Sequence, residues 1–152
     1  MRSSHLAWDL MTDPALEARI RSGQALFDAM GGFDVVSWDG AKKELVAAIT
    51  VRREFCHTNG TIAQGGFVTA WLDAAMAHAV IHDTDHAQTV ASLEIKVSFL
   101  EKCGPGPGRV VARINRRGGR VAFLEADLYS AEGRLVAQAT STGMLIAYGG
   151  RG

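Results

Sequence analysis

From Phe67 to Ile81 the chain reads FVTAWLDAAMAHAVI, in which only Thr69, Asp73 and His78 are polar. Apolar residues all round a helix predict one that other protein covers on nearly every side. The sequence after it alternates with period two instead. Val90 to Leu100 sets Leu93, Ile95, Val97 and Phe99 against Ser92, Glu94, Lys96 and Ser98, the pattern of a half-buried strand. Arg109 to Arg116, Val121 to Tyr129 and Leu135 to Tyr148 continue in the same way. Gly118-Gly119 and Ser130-Ala131-Glu132-Gly133 join them, connections that suit antiparallel hairpins. Ahead of the helix, Phe33 to Trp38 and Leu45 to Val51 flank an Asp39-Gly40 turn as a shorter hairpin. Asp13 and Pro14 predict the start of an N-terminal helix, as N-cap and first helical residue. That helix carries Leu16, Ile20, Leu26, Phe27 and Met30, as one piece or as a pair broken near Gly23, and Gly31-Gly32 ends it. Arg52 to Ala63 is polar, contains Asn59-Gly60 and reads as a loop. A helix, two strands, one long apolar helix and four strands make an α+β chain. The economical way to cover the long helix is a curved antiparallel sheet wrapped around it.

Asp73 is the odd residue of this pattern. An ionised carboxylate is expensive to bury alone, so Asp73 has to be paired, neutralised, or set in the wall of a pocket that admits ligand and water. The helix opens directly after Gln64-Gly65-Gly66. Glycines there let a ligand or another backbone approach the first turn, whose free N–H groups favour negative charge.

Length and composition narrow the function classes. The 152 residues are 47% hydrophobic with a formal net charge of +0, which fits one soluble globular domain and does not suggest a nucleic-acid partner. Cys56 and Cys103 are too few for a disulfide framework, so a reducing, cytoplasmic compartment is expected. MRSSHLAWDLMTDP lacks the apolar core of a secretory signal, and the Phe67–Ile81 helix is too short, and carries a charge, to span a membrane. His78, His82 and His86 recur every four residues, yet the glutamate of a zinc-protease helix is missing, and they read as surface or C-terminal helix residues rather than metal ligands. His57 beside Cys56 reads as a neighbour pointing away, not as a catalytic pair. Trp71 and Met76 read as packing residues.

The stretch Asn59-Gly60-Thr61-Ile62-Ala63-Gln64-Gly65-Gly66, with Asp73 on the helix behind it, resembles the hotdog-fold acyl-CoA thioesterases of the phenylacetic-acid-degradation (PaaI-like) type. Val90 to Leu100, the Gly104-Pro105-Gly106-Pro107-Gly108 loop and Arg116-Arg117-Gly118-Gly119-Arg120-Val121-Ala122-Phe123 are similar to it too. The resemblance covers roughly residues 33–146. Gln64 stands where many members carry histidine, and the spacing from Asn59 to Gln64 is one residue longer than in some.

The resemblance implies a hotdog fold over residues 33–148, with residues 1–32 as a helical extension. It also implies hydrolysis of small, medium or aromatic acyl-CoA thioesters with no metal and no cofactor besides the CoA of the substrate. Asp73 would act as general base or nucleophile, and the N–H groups of Gly65, Gly66 and Phe67 would hold the carbonyl oxygen, Gly66 chief among them. Gln64 and Asn59 would bond the acyl group or the water, and Ser92 matches a Ser/Thr position near the acid. Lys102, Arg116, Arg117 and Arg120 would meet the CoA phosphates. The family builds its site between two subunits, which implies a homodimer or a dimer of dimers. Two other readings stay open: an acyl-CoA-binding module without catalysis, and an enoyl-CoA hydratase, which is disfavoured because no histidine adjoins Gly65-Gly66 in the sequence.

Overall fold

The computed structural model describes residues 14–148, with side chains from residue 22 onward. Helix α1 (Pro14–Ala29) runs unbroken through Gly23, so the single-helix reading holds. Gly31 and Gly32 end it with φ of 83° and 99°, a backbone that glycine adopts at little cost. Asp13, its expected cap, and the side chains of Leu16 and Ile20 lie outside the described residues.

Strands β1 (Phe33–Asp39) and β2 (Glu44–Val51) form the first hairpin. Where the sequence predicts a plain loop, the chain makes a 3-10 turn at Arg53–Phe55 and a small hairpin of β3 (Cys56–His57) and β4 (Ile62–Ala63). Helix α2 (Gly65–Asp83) follows, then β5 (Gln88–Phe99), β6 (Gly106–Arg117), β7 (Val121–Tyr129) and β8 (Leu135–Ala147). Among the described residues, six strands form one antiparallel sheet in the order β1-β2-β6-β7-β8-β5. This is the hotdog architecture that the resemblance implies, with α2 touching all six strands. No helix of the described residues is long and apolar enough to cross a membrane.

The helix has two apolar faces rather than one. Val68, Leu72, Ala75, Met76, Ala79 and Val80 recur at helical spacing and are buried against the sheet. Trp71 is buried with them, and its Nε1–H donates to the Met30 carbonyl at 2.9 Å, which ties α2 to the end of α1. The opposite face, around Ala70, Asp73, Ala74 and Ala77, is only half-buried, so the sheet does not close round the helix as completely as its composition predicts.

Strand β5 departs from simple alternation. Ser92 pairs with Gly143 and Glu94 with Thr142, leaving Leu93 as the extra residue of a bulge. The bulge inverts the parity expected for the strand: Val90 packs on the core before it, Ile95 and Val97 after it, and Leu93 is 59% exposed. The Glu94 carbonyl, disturbed by the bulge, accepts a hydrogen bond from Ser141 Oγ at 2.8 Å.

The far end of α2 is fastened by charge. Asp83 has a side chain only 3% exposed, ion-paired to Lys43 in the turn before β2 and to Arg117 Nε on β6 at 2.6 Å. Burial alone would push the Asp83 carboxyl up, but the hydrogen bonds from Lys43 and Arg117 and their charges outweigh it and hold it below its usual 3.8. A group depressed in this way stabilises the fold above its unfolded pKa, and the contribution is lost as pH falls through the folded value. Asp83→Asn is expected to cost about 2 kcal/mol at pH 7, between the exposed and buried limits for an ion pair. Urea melts across pH should show that cost level at neutral pH and shrinking below about pH 4. An unchanged midpoint in Asp83→Asn would mean that the helix end is held by packing alone.

Candidate active site

Asp73 lies on the half-buried face of α2, and Ser92 Oγ donates to its Oδ1 at 2.7 Å. The β5 bulge makes this contact, because it leaves Ser92 on the helix side of the strand. On its other side Asp73 borders a cavity of about 530 Å³ between α1 and α2, lined by Leu26, Phe27, Ala70, Ala74 and His78 among others. The carboxylate is thus both paired and set in a pocket wall, two of the three outcomes that its apolar surroundings allow.

The N-terminus of α2 is already occupied by its own cap. Gln64 Oε1 accepts the Gly66 N–H at 2.7 Å, and the Gln64 carbonyl accepts the Phe67 N–H at 3.0 Å. The Gly65 N–H has no partner among the described residues. A Cβ at Gly66 would come within 2.7 Å of Gln64 Oε1, and one at Gly65 within 3.0 Å of the Phe99 ring, so both glycines serve close approach. The Phe67 side chain stacks on Phe55, with centroids 4.2 Å apart, and belongs to the packing around Trp71.

Gly65 also borders a crevice of about 250 Å³ with His57, Val68 and Phe99. Sequence adjacency leaves no histidine beside the glycine pair, but the β3–β4 hairpin folds His57 into place there. Its Nδ1 lies 2.8 Å from Thr58 Oγ1, while Cys56 Sγ turns the other way, toward the Arg52 carbonyl at 3.5 Å. Burial pushes the Cys56 thiol up, the reverse of an activated nucleophile. Asn59 sits in the turn of that hairpin with φ of 57°, its carbonyl accepting from Arg53 Nη2 at 2.9 Å.

The four basic residues divide into two groups. Lys102 lines a groove of about 910 Å³ running past Phe99 and Leu100, which Arg134 also lines, ion-paired to Glu101 at 3.6 Å. Arg116, Arg117 and Arg120 lie around the β6–β7 turn, where Arg117 is engaged by Asp83 at the C-terminal end of α2. The length of α2, about 28 Å for a helix of this size, separates the two groups within one chain. Arg134 and the α1 residues at the Asp73 cavity carry no signal in the sequence, since folding alone brings them there.

His78 departs from its reading as a surface residue. It lies under α1, its ring centroid 5.4 Å from Phe27 and 5.0 Å from Phe33, with Nδ1 donating to the Ala74 carbonyl at 2.8 Å. Burial holds its pKa below the usual 6.5. The His82 ring is tilted against Trp38 with centroids 6.1 Å apart and His86 against Tyr148 at 6.4 Å, and no group of three or more His, Cys, Asp or Glu able to hold a metal occurs among the described residues.

Comparison with known proteins agrees with this architecture. The family model described as the thioesterase superfamily matches residues 60–137, from the β3–β4 turn through β8's start. A protein of Saccharolobus solfataricus, provisionally named an esterase, is 28% identical over 131 residues, 85% of this chain and 90% of that one. A phenylacetic-acid-degradation-related protein of Ralstonia eutropha JMP134, described provisionally as a thioesterase, superposes with a TM-score of 0.72 at 30% identity, covering 79% of this chain and 89% of that one. The protein smu.793 of Streptococcus mutans UA159, crystallised with acetyl CoA, shares the fold with a TM-score of 0.66 at 19% identity, over 77% of this chain and 90% of that one. With its glycine-opened central helix inside an antiparallel sheet, and with that family model matching over half its length, this chain belongs to the thioesterase superfamily, in its PaaI-like hotdog branch.

Proposed function

We propose that this protein hydrolyses acyl-CoA thioesters, with Asp73 as the acid-base or nucleophilic group. The observation that carries the reading is the Asp73 carboxylate itself, bonded to Ser92 and facing an apolar cavity. Hydrolysis of a thioester requires a donor for the carbonyl oxygen as it gains charge and a base or nucleophile at the carbon. The N-terminus of α2 supplies the first and Asp73 the second. Acetyl CoA bound to the S. mutans relative supports acyl-CoA as the ligand for this fold.

In one chain the two halves stand apart. Gly66 and Asp73 are seven residues apart on one helix, about 10 Å at the rise of an α-helix, too far for both to act on one carbonyl. A second copy brings them together if its α2 N-terminus faces this Asp73. Strand β5 offers the means: it is a sheet edge of 12 residues, with Leu93 and Phe99 exposed beside it. The functional unit in this reading is a homodimer, and sedimentation equilibrium should give a mass of at least twice 16.2 kDa.

Gln64 acts here as a placeholder. Its side-chain oxygen stands where a substrate carbonyl oxygen would take the Gly66 N–H, and substrate displaces it. Lys102, together with Arg134, meets the CoA phosphates along the groove, and the partner's Arg116 and Arg120 are available from the other side.

Asp73→Asn is expected to lower kcat for acyl-CoA hydrolysis by about 100-fold or more while leaving the melting temperature nearly unchanged. Unchanged turnover would sink the assignment, and binding of CoA esters without hydrolysis in the wild type would favour a non-catalytic acyl-CoA module. His57, lining one crevice with Gly65, is the observation that favours the hydratase reading, and loss of an enoyl-CoA double bond in the same assay would establish it.

Gln64→Ala should cost about 1 kcal/mol of stability through the lost cap, speed hydrogen exchange at the Gly66 amide, and slow turnover by less than tenfold. A loss as deep as that of Asp73→Asn would place Gln64 at the reacting centre instead.

A further inference from the structure

Helix α1 stands off from α2 and leaves the cavity of about 530 Å³ between them. Its floor is made of small side chains, Ala70, Ala74 and Ala77, and its roof of Gly23, Leu26 and Phe27. Tyr148 and Thr89 line it as well. The volume lies in the range of small-ligand pockets, and apolar walls with a few polar groups are their usual composition. Asp73 supplies the polar group at one wall, held by Ser92. Phe27 is fixed in place by stacking on Phe33, centroids 5.2 Å apart, so the roof is anchored at the α1 C-terminal end.

Gly23 is the position that structure alone does not explain. It lies mid-helix, lacks a positive φ, and a Cβ there would meet no atom of the described residues within 4 Å. Glycine at such a place gives up about 0.8–1 kcal/mol of helix stability relative to alanine. Neither backbone geometry nor crowding requires it, and what its missing side chain leaves is space in the cavity roof.

We propose that the cavity between α1 and α2 receives the acyl group and that Gly23, through its missing side chain, sets the length of acyl group the cavity admits. This rests on the thioesterase reading above. A carbonyl held beside Asp73 has its acyl chain directed along the same wall, over the three alanines and under α1. Short acyl groups leave the pocket unfilled and gain little from it, whereas each buried methylene adds to transition-state binding.

The test uses the full chain as wild type, Gly23→Ala and Gly23→Leu. Hydrolysis of acetyl-, butyryl-, hexanoyl-, octanoyl- and phenylacetyl-CoA gives a chain-length profile, and calorimetry measures binding of octanoate, the free product. Both variants should fold, because each has a higher helix propensity than glycine. Gly23→Leu is expected to lower the ratio of octanoyl to acetyl kcat/KM by about tenfold or more and to weaken octanoate binding, with Gly23→Ala between. A profile unchanged in Gly23→Leu, or lowered equally for all acyl groups, overturns the pocket while leaving hydrolysis intact. No hydrolysis by wild type, with octanoate binding that still depends on position 23, overturns the thioesterase reading and keeps the pocket. Neither activity nor binding overturns both. A changed oligomeric mass with an unchanged profile would assign the cavity to contact between subunits and overturn the proposal as well.

Discussion

The structure depends on how α2 is covered. Its sequence is apolar on every side, and a sheet can cover only one. Alanines at 75 and 79 let the sheet come close along the buried face, while Leu72, Met76 and Val80 fill the space between. Each large side chain so buried contributes about 1.5–3 kcal/mol, enough to fix the helix axis against the strands. The remaining face cannot be left to water without exposing a contiguous apolar strip. Helix α1 shields it from a distance, anchored through Phe27, Phe33 and the Trp71 bond to Met30. The gap that remains is where a carboxylate can sit in a mostly apolar setting with room for a ligand beside it.

Much of this frame was legible in the sequence because it rests on periodicity. The six sheet strands and both helices follow from runs of period two and 3.6, their order implies an antiparallel sheet around the long helix, and the hotdog arrangement came from the family resemblance. What the sequence hides is what local insertions do to parity. Strict alternation puts Ser92 opposite Ile95, yet one extra residue at Leu93 turns both toward the helix. A bulge carries no compositional mark, so only the register of the neighbouring strand reveals it. The same holds for His57, which reaches the α2 N-terminus, and for Arg134, which reaches the groove of Lys102, through tertiary folding and not through spacing along the chain.

The α2 N-terminus shows why a glutamine can stand in a position of this kind. A helix start has orphan N–H groups that must find acceptors. Gln64 has a side chain long enough to fold back on Gly66, and the absent Cβ at Gly66 gives its oxygen room to do so. A cap of this sort is worth only about 1 kcal/mol. That is small beside the charge-assisted bond a developing oxyanion would make at the same N–H. In the proposed mechanism the cap therefore yields to the transition state and returns when product leaves, which keeps the donor ordered without blocking it.

The bulge also divides β5 into two stretches with separate tasks. Before it, the strand turns Val90 and Ser92 toward α2 and completes the setting of Asp73. Beyond it, Glu94 to Phe99 keeps regular pairing with β8 on one side and presents an unpaired edge on the other. Bulges at sheet edges commonly limit where another strand can add. Here the regular stretch begins two residues from Ser92, so a strand added to it would arrive beside Asp73. Gly65 packs against Phe99 at the other end of that same stretch. Two copies paired antiparallel along it would each bring a glycine-opened helix start toward the other's carboxylate. Thus the edge, the bulge and the position of Asp73 all fit the shared site proposed above.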